Sequence, residues 1–400
     1  MLVIECGLLI DGVSDEPHHD VAIAIEDGII VDISDRGAFA SDNHVEHDVL
    51  IPGLIDAHVH LAGVRSMNPM EWATANVSTM TARATADLRK LVAAGFTAVR
   101  DVGSSTGLGL RTAVEEGEIP GPRVYTSGKS ISQTGGHGDS HFLPYEWAKT
   151  RAGLSTIADG PDECRKEARK RIRQGVDCLK IMTTGGVLSE KDAPDQSQYT
   201  DAEISAFTEE AHRVGIPVAS HAQGAAGIKR ALENGVDTIE HGFFLDTETI
   251  DLLLETDATL VPTLAIMHRL VTEGADHGVP EWGLEKSRAA RRDHFDSIRR
   301  AYEAGVPIAL GTDFIGPDLV PHGENMLEAE LFVEEIGMTE MDAIRAGTSV
   351  AARTLPDDNV GVISNGAVAD LVALESDPLD DISALRRVET VYRDGKRVLV

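Results

Sequence analysis

The sequence predicts an α/β fold: eight parallel βα units closed into a (β/α)8 barrel of the TIM type, with a small all-β unit made from both chain ends. Three observations predict it. A helix ending in glycine and followed at once by an apolar strand recurs five times between residues 82 and 312. Both ends of the chain hold only short strands and turns. No glycine-rich dinucleotide fingerprint follows the first barrel strand, which disfavours an open doubly wound sheet, the other fold that such alternation supports.

Residues 1–51 read as strands Met1–Cys6, Val21–Glu26, Ile29–Ile33 and Val45–Ile51. Asp27-Gly28 lies between the second and third, the dipeptide that favours a type I′ hairpin turn. From Pro52 the pattern changes. Ile55–His60 is the first barrel strand; helix Ala82–Ala94, Gly95 and strand Thr97–Val102 follow, then strand Arg123–Ser127. The unit recurs as Glu163–Gln174, Gly175, Val176–Met182, and as Ala202–Val214, Gly215, Ile216–His221. It recurs again as Ala225–Asn234, Gly235, Val236–His241, then strand Thr259–Leu264, then Ser287–Ala304, Gly305, Val306–Thr312. A glycine ends a helix cheaply because it adopts the left-handed conformation without a Cβ clash. The last segment returns to strands Ala369–Glu375, Thr390–Arg393 and Arg397–Val400, with an Asp394-Gly395 turn. The expected division is a barrel over 52–355 inserted between 1–51 and 356–400.

The charge balance narrows the partners. Asp plus Glu number 66 against 36 Lys plus Arg, a net charge of −30, and only 10 of the basic residues are lysine. The acids are scattered rather than gathered in a tail. Such a surface repels nucleic acid and anionic lipid, so neither is an expected partner. Abundant acid with scarce lysine fits a protein kept soluble in high salt, where screening removes most self-repulsion; an acidic protein of ordinary habitat is the alternative. No apolar run approaches the roughly 18 residues of a membrane span. Met1–Asp11 lacks a basic leader and a small-residue cleavage site, and the three cysteines show no CxxC spacing. The expected setting is the reducing cytoplasm of a halophile.

The chemistry starts at Ile55-Asp56-Ala57-His58-Val59-His60-Leu61. On a strand, residues two apart share a face, so the two imidazoles project together, a geometry that suits a cation such as Zn²⁺. Further ligand-type residues fall at the C-terminal ends of predicted strands, where barrel enzymes carry their chemistry. These are Lys180, His221, His241 and Asp313. A lone histidine at a strand end is more often a structural residue; six such groups on five strands are hard to assign to packing.

With these motifs in hand, the chain is identified as resembling the amidohydrolase superfamily of metal-dependent barrel hydrolases. The matching stretches are Pro52-Gly53-Leu54-Ile55-Asp56-Ala57-His58-Val59-His60, Lys180, Ser220-His221-Ala222, Ile239-Glu240-His241-Gly242 and Gly311-Thr312-Asp313, with Asn365 to Val372 as a closing strand. Gly135 to Asp139, Thr183 to Val187 and His322-Gly323-Glu324-Asn325 are similar to the Xaa-Pro dipeptidase and imidazolonepropionase-like branch. The resemblance implies a barrel flanked by a composite β-sandwich. It implies that His58, His60 and Asp313 hold one metal and His221 and His241 another. Lys180, carboxylated by CO₂, would bridge both. An ammonium would repel a cation, so a lysine among these ligands makes sense only if neutral or carboxylated. Imidazolonepropionase itself lacks that lysine and holds one metal, so Lys180 favours the peptidase side.

The implied reaction is hydrolysis of an amide by a hydroxide shared between two divalent ions, expected to be zinc, with Asp313 accepting its proton and passing it to the departing amine. By resemblance His137 hydrogen-bonds the substrate carbonyl or oxyanion, and Gln223 and His322 join it in binding substrate. Relatives often carry tyrosine where this chain has Gln223, so prolidase specificity does not transfer directly. The expected substrate is a small amide, a dipeptide or an N-acyl amino acid, acted on by a homo-oligomer. A mononuclear cyclic-amide hydrolase or deaminase is the second reading, and a non-catalytic binding barrel the third.

Overall fold

The computed structural model describes residues 1–150, 153–357 and 359–399. Four strands open the chain: β1 (Leu2–Leu9), β2 (His18–Glu26), β3 (Ile29–Asp35) and β4 (His44–Pro52). β2 and β3 form the expected hairpin, with Asp27 and Gly28 both at positive φ (49° and 83°), as a type I′ turn requires.

The barrel strands are β5 (Leu54–Val59), β6 (Phe96–Asp101), β7 (Arg123–Thr126), β8 (Ile131–Ser132), the short outlier β9 (Thr156–Ile157), β10 (Leu179–Met182), β11 (Val218–Gly224), β12 (Thr238–Phe244) and β13 (Thr259–Val261). All pair in parallel, β5-β6-β7 in one run and β9-β8-β10-β11-β12-β13 in another. Backbone hydrogen bonds close the two runs into a ring. Asp177 N donates to Thr126 O at 2.9 Å on one side. On the other, residues 307–314 lie between β13 and β5, with Ala309 N donating to Leu260 O and Ala57 N to Leu310 O, both at 2.9 Å. This segment is the predicted eighth strand, Val306–Thr312. It closes the barrel without regular strand geometry, because Leu310 N donates outward to Ala346 O (2.7 Å) and Asp313 turns to φ 58°.

The helices stand near their expected places. Val77–Ala93 begins five residues before the predicted Ala82, because Asn76 caps it through Ser78 N. Glu281–Glu303 likewise begins before Ser287. Pro161–Gln174 ends at Gly175, whose φ of 76° lets its N–H return to Ile172 O at 2.9 Å. No helix among the described residues is long and apolar enough to cross a membrane.

Three strands end the chain: β14 (Leu371–Leu374), β15 (Val388–Arg393) and β16 (Lys396–Arg397). The last begins one residue before the expected Arg397–Val400, and Val400 lies outside the described residues. They join the N-terminal strands in one seven-stranded sheet, β16-β15-β14-β4-β1-β2-β3, with only β1 and β4 parallel. The sheet rolls over one face. Ile30 N donates to Ala367 O (2.9 Å) and Ala369 N to Gly28 O (2.8 Å) across the roll. Alternation then divides the side chains. Ile4, Cys6, Ile23, Leu50, Leu371 and Tyr392 make a private core, while Val49, Ile51, Val372 and Leu374 join the core of the barrel. Inside the barrel, Ile55, Ala57, Ala98, Val261 and Ala309 pack with Ala351 and Leu355. Ile55 and Ala57 precede His58 on β5, so this apolar plug lies beneath the strand ends and leaves the polar groups at the mouth.

Candidate functional site

His58 and His60 leave the end of β5 on one face, as their spacing requires. His58 is buried, with Nδ1 2.6 Å from Glu240 Oε2. His60 Nδ1 donates to the carbonyl of Gly103 at 2.9 Å. Their Nε2 atoms lie 3.4 and 3.0 Å from Asp313 Oδ1. Nitrogen and carboxylate atoms of these three residues lie within 4.8 Å of one another, a group that could hold a metal ion.

His241, on β12, brings its ring centroid to 5.2 Å from that of His58 and 4.5 Å from that of His221, on β11. His241 Nδ1 meets Thr263 Oγ1 at 2.7 Å, and His221 Nε2 donates to Gly185 O at 3.1 Å. Lys180 sits on β10, 2 % exposed, and its Nζ is buried without a hydrogen-bond partner. Glu240 and Asp313 are the acids that act on it. His137 stacks on His221, with centroids 3.9 Å apart and ring planes within 15°. Gln223 stands two residues beyond His221 on β11, buried, with its Oε1 unpartnered. His322 is placed behind the cluster, where its Nε2 donates to the backbone carbonyl of His60 at 3.2 Å. The structure thus gathers the six ligand-type residues with His137, puts Gln223 beside them, and sets His322 against the main chain of His60.

A sequence profile of the amidohydrolase family matches residues 49–398. The chain belongs to the amidohydrolase family. Ochratoxinase of Aspergillus niger is 33% identical over 421 residues, which span 98% of this chain and 86% of that protein. The crystal structure of A. niger ochratoxinase superposes with a TM-score of 0.91 at 32% identity, over 99% of this chain and 95% of the other. A Xaa-Pro dipeptidase crystallised with methionine in its active site gives a TM-score of 0.89 at 35% identity over 100% of both chains. An imidazolonepropionase of Salinispora tropica is 23% identical over 376 residues, 90% of this chain and 86% of that protein. The family comprises hydrolases acting on C–N bonds, and its members generally use divalent metals.

The amidohydrolase site has the electrostatics of a cation pocket. Burial drives the pKa of His221 and His241 well below the usual imidazole value, leaving neutral rings. Burial also lowers His137, to about 4, and Lys180, to about 8. Asp313 resists its own burial and stays well below the ordinary carboxylate range because His58 and His60 face it. His60 is lowered by burial and raised by Asp313 and Asp101, with a net rise. Each of the four imidazoles ties one nitrogen to an outer partner, and His58 and His60 turn the other to Asp313, as metal-binding histidines do. The carbonyls of Gly103 and Gly185 only accept, so they fix which nitrogen of His60 and His221 keeps its lone pair. A buried Lys180 Nζ with no partner is costly as an ammonium, whereas a carbamate there would be anionic and would suit two cations. The donors of His58, His60 and Asp313 fit a divalent ion.

Several supporting residues escaped the sequence reading. Glu240 holds His58 with one oxygen and Arg100 with the other (2.8 Å); Arg100 also donates to Ala57 O at 2.6 Å and Thr238 Oγ1 at 3.0 Å. Asp56 accepts from His58 N (3.0 Å), Thr312 Oγ1 (2.8 Å) and Asn325 Nδ2 (2.7 Å), and burial still raises its pKa to about 6. Glu328 accepts from Leu264 N and Ala265 N, fixing the turn that presents Thr263 to His241. Asp56, Glu240 and Asn325 lay inside motifs already quoted. Arg100 and Glu328 gave no sequence signal, since their partners are far along the chain.

Proposed function

We propose that the protein hydrolyses the C–N bond of a small amide, a dipeptide or an N-acyl amino acid, using two divalent cations. His58, His60 and Asp313 would hold one ion, His221 and His241 the other, and Lys180, carboxylated by CO₂, both. Four imidazoles among the donors favour zinc. Bound there, the ions supply Lewis-acid polarisation of the amide carbonyl and lower the pKa of water. Asp313, ionised and bonded to the inner nitrogens of His58 and His60, takes the proton of the attacking water and returns it to the departing amine. Glu240, Gly103, Thr263 and Gly185 keep the four imidazoles oriented while this happens. His137 and Gln223 form the substrate-facing polar wall.

The observation that carries this reading is Lys180 Nζ, buried and unpartnered within electrostatic reach of Glu240 and Asp313. Plasma emission analysis of the purified protein should find two ions per chain. Turnover of a panel of dipeptides and N-acyl amino acids should be lost on chelation. One ion per chain favours a mononuclear cyclic-amide hydrolase; a chain that binds none and turns over nothing overturns the proposal. Assembly as a homo-oligomer belongs to the same reading and is measured by sedimentation. So does life at high salt inside a cell: melting temperature should rise from low to multimolar KCl, and a flat or falling curve rules that out.

A further inference from the structure

Sheet register builds a second group of metal-type ligands, on the composite sheet rather than in the barrel. β1 and β4 run parallel, with Val3 beside His44 and Glu5 beside Glu46. Side chains two apart on a strand share a face, and paired residues of neighbouring strands do too. Ile4 and Cys6 turn to the private core of the sheet, so Glu5 faces the other way, together with His44 and Glu46. One imidazole nitrogen and one oxygen from each carboxylate lie within 4.8 Å of one another.

The spacing suits an ion. Glu5 is 5 % exposed; its Oε1 accepts from Gly37 N at 2.8 Å, while Oε2 is left to two ion contacts. These are Arg36 Nε at 3.3 Å and His44 Nε2 at 3.4 Å. Ligand atoms about 2.0–2.1 Å from one tetrahedral zinc lie about 3.3–3.4 Å from each other, and the Glu5 and His44 atoms already have that spacing. The third ligand, Glu46, is exposed and can swing toward them. The group already attracts a cation. Arg36, in the turn after β3, reaches Glu5 and donates from Nη2 to Glu46 Oε2 at 2.7 Å. It is exposed as well, so its guanidinium can withdraw into water.

We propose that Glu5, His44 and Glu46 bind a divalent ion of the zinc class, which pins β1 to β4 and displaces Arg36. One imidazole and two carboxylates are zinc ligands, and three protein ligands leave a fourth position for water. Two of the ligands share one strand and the third stands on the strand paired with it, so the ion needs no rearrangement of backbone. The site is separate from the cluster at the barrel mouth and owes nothing to the hydrolase reading.

Equilibrium dialysis of the full chain against rising free zinc, with bound zinc read by plasma emission, tests it. The count is taken as wild type minus His44→Ala, so ions held at the barrel mouth drop out. The expected difference is one ion per chain at saturation. Arg36→Gln removes the competing guanidinium and should tighten this ion about two- to tenfold, the worth of two exposed ion pairs. Misfolding explains a loss in His44→Ala but never a gain in Arg36→Gln. Zinc should also raise the unfolding midpoint of Arg36→Gln more than that of His44→Ala. Equal zinc in wild type and His44→Ala, or unchanged or weaker binding in Arg36→Gln, overturns the proposal.

Discussion

Replacing Arg100 with methionine tests whether the strand-end histidines depend on a buried charge pair. Arg100 is 0 % exposed and reaches Ala57 O, Thr238 Oγ1 and Glu240 Oε1. Methionine keeps much of the apolar volume but leaves Glu240 buried without its countercharge. Removing one partner of a buried pair costs about 3–5 kcal/mol. The orphaned Ala57 carbonyl adds about 1 kcal/mol at the low end, while Thr238 keeps its 2.5 Å bond to Glu240. A loss of about 4–6 kcal/mol is expected, measured by guanidinium unfolding of chelator-treated protein. The pH dependence has a definite sign. Burial raises Glu240, but Arg100 and then Lys180 pull it well below the ordinary carboxylate range. Its contribution is therefore present above the unfolded value of about 4.3 and lost as pH falls through the folded value. The gap between wild type and variant should be level from pH 8 to 5 and narrow below about 4.3. Adding Glu240→Gln removes the orphan charge and should recover part of the loss. A cost below about 1 kcal/mol, or no recovery in the double variant, would refute the argument.

Three further outcomes follow from the cluster. Asp313→Asn keeps an oxygen near His58 and His60 but cannot take a proton; metal content should hold while kcat falls about 10²- to 10⁴-fold, and near-normal turnover removes the shuttle role. Lys180→Ala should lower bound metal, with partial rescue by added short carboxylic acids; two ions and full rate exclude the bridging carbamate. CO₂ adds to a neutral amine, and burial lowers Lys180 to about 8. Reconstitution of stripped protein with zinc at a fixed concentration of dissolved CO₂ should thus quicken with rising pH and level off above about 8, whereas a pH-independent rate removes Lys180 from the process.

How much of this was legible depends on the kind of signal. His58 and His60 could be read because a strand repeats every two residues, and Lys180 and His221 because each ends an apolar run. Glycine stops marked the helices well, as Gly175 shows. What parity missed was Glu240. It precedes His241, so regular alternation assigns the two to opposite faces. His241 adopts φ 81°, which breaks the alternation and lets both serve the same cluster. Arg100 was opaque for another reason: an arginine on a strand reads as a half-exposed position until its partner on β12, 140 residues later, is in place. The eighth strand was located correctly from apolar content but lost its regular ladder to the outward bond of Leu310. Local periodicity is written in neighbouring residues; counter-charges and left-handed turns are set by contacts the chain makes only after closing.

Those left-handed turns are where stability has been traded against orientation. His241, Thr263 and Asp313 have φ of 81°, 56° and 58°, and all three lie in the cluster. Histidine and aspartate tolerate this region; a β-branched threonine does not, and Thr263 should cost about 1–3 kcal/mol. Thr263→Gly removes that strain, at about 0.5–1 kcal/mol of added unfolded-state entropy and about 1 kcal/mol for the lost bond to His241 Nδ1. The terms nearly cancel, so the metal-free fold should stay within about 1 kcal/mol of wild type. The function should not stay. With Oγ1 gone nothing fixes the outer nitrogen of His241, and loss of such an outer partner lowers metal affinity or activity about 10- to 100-fold. Unchanged stability with weakened zinc binding identifies Thr263 as strained for the sake of His241. Lower stability with zinc binding intact would instead make the left-handed turn a packing requirement, and the orientation argument would fall with it.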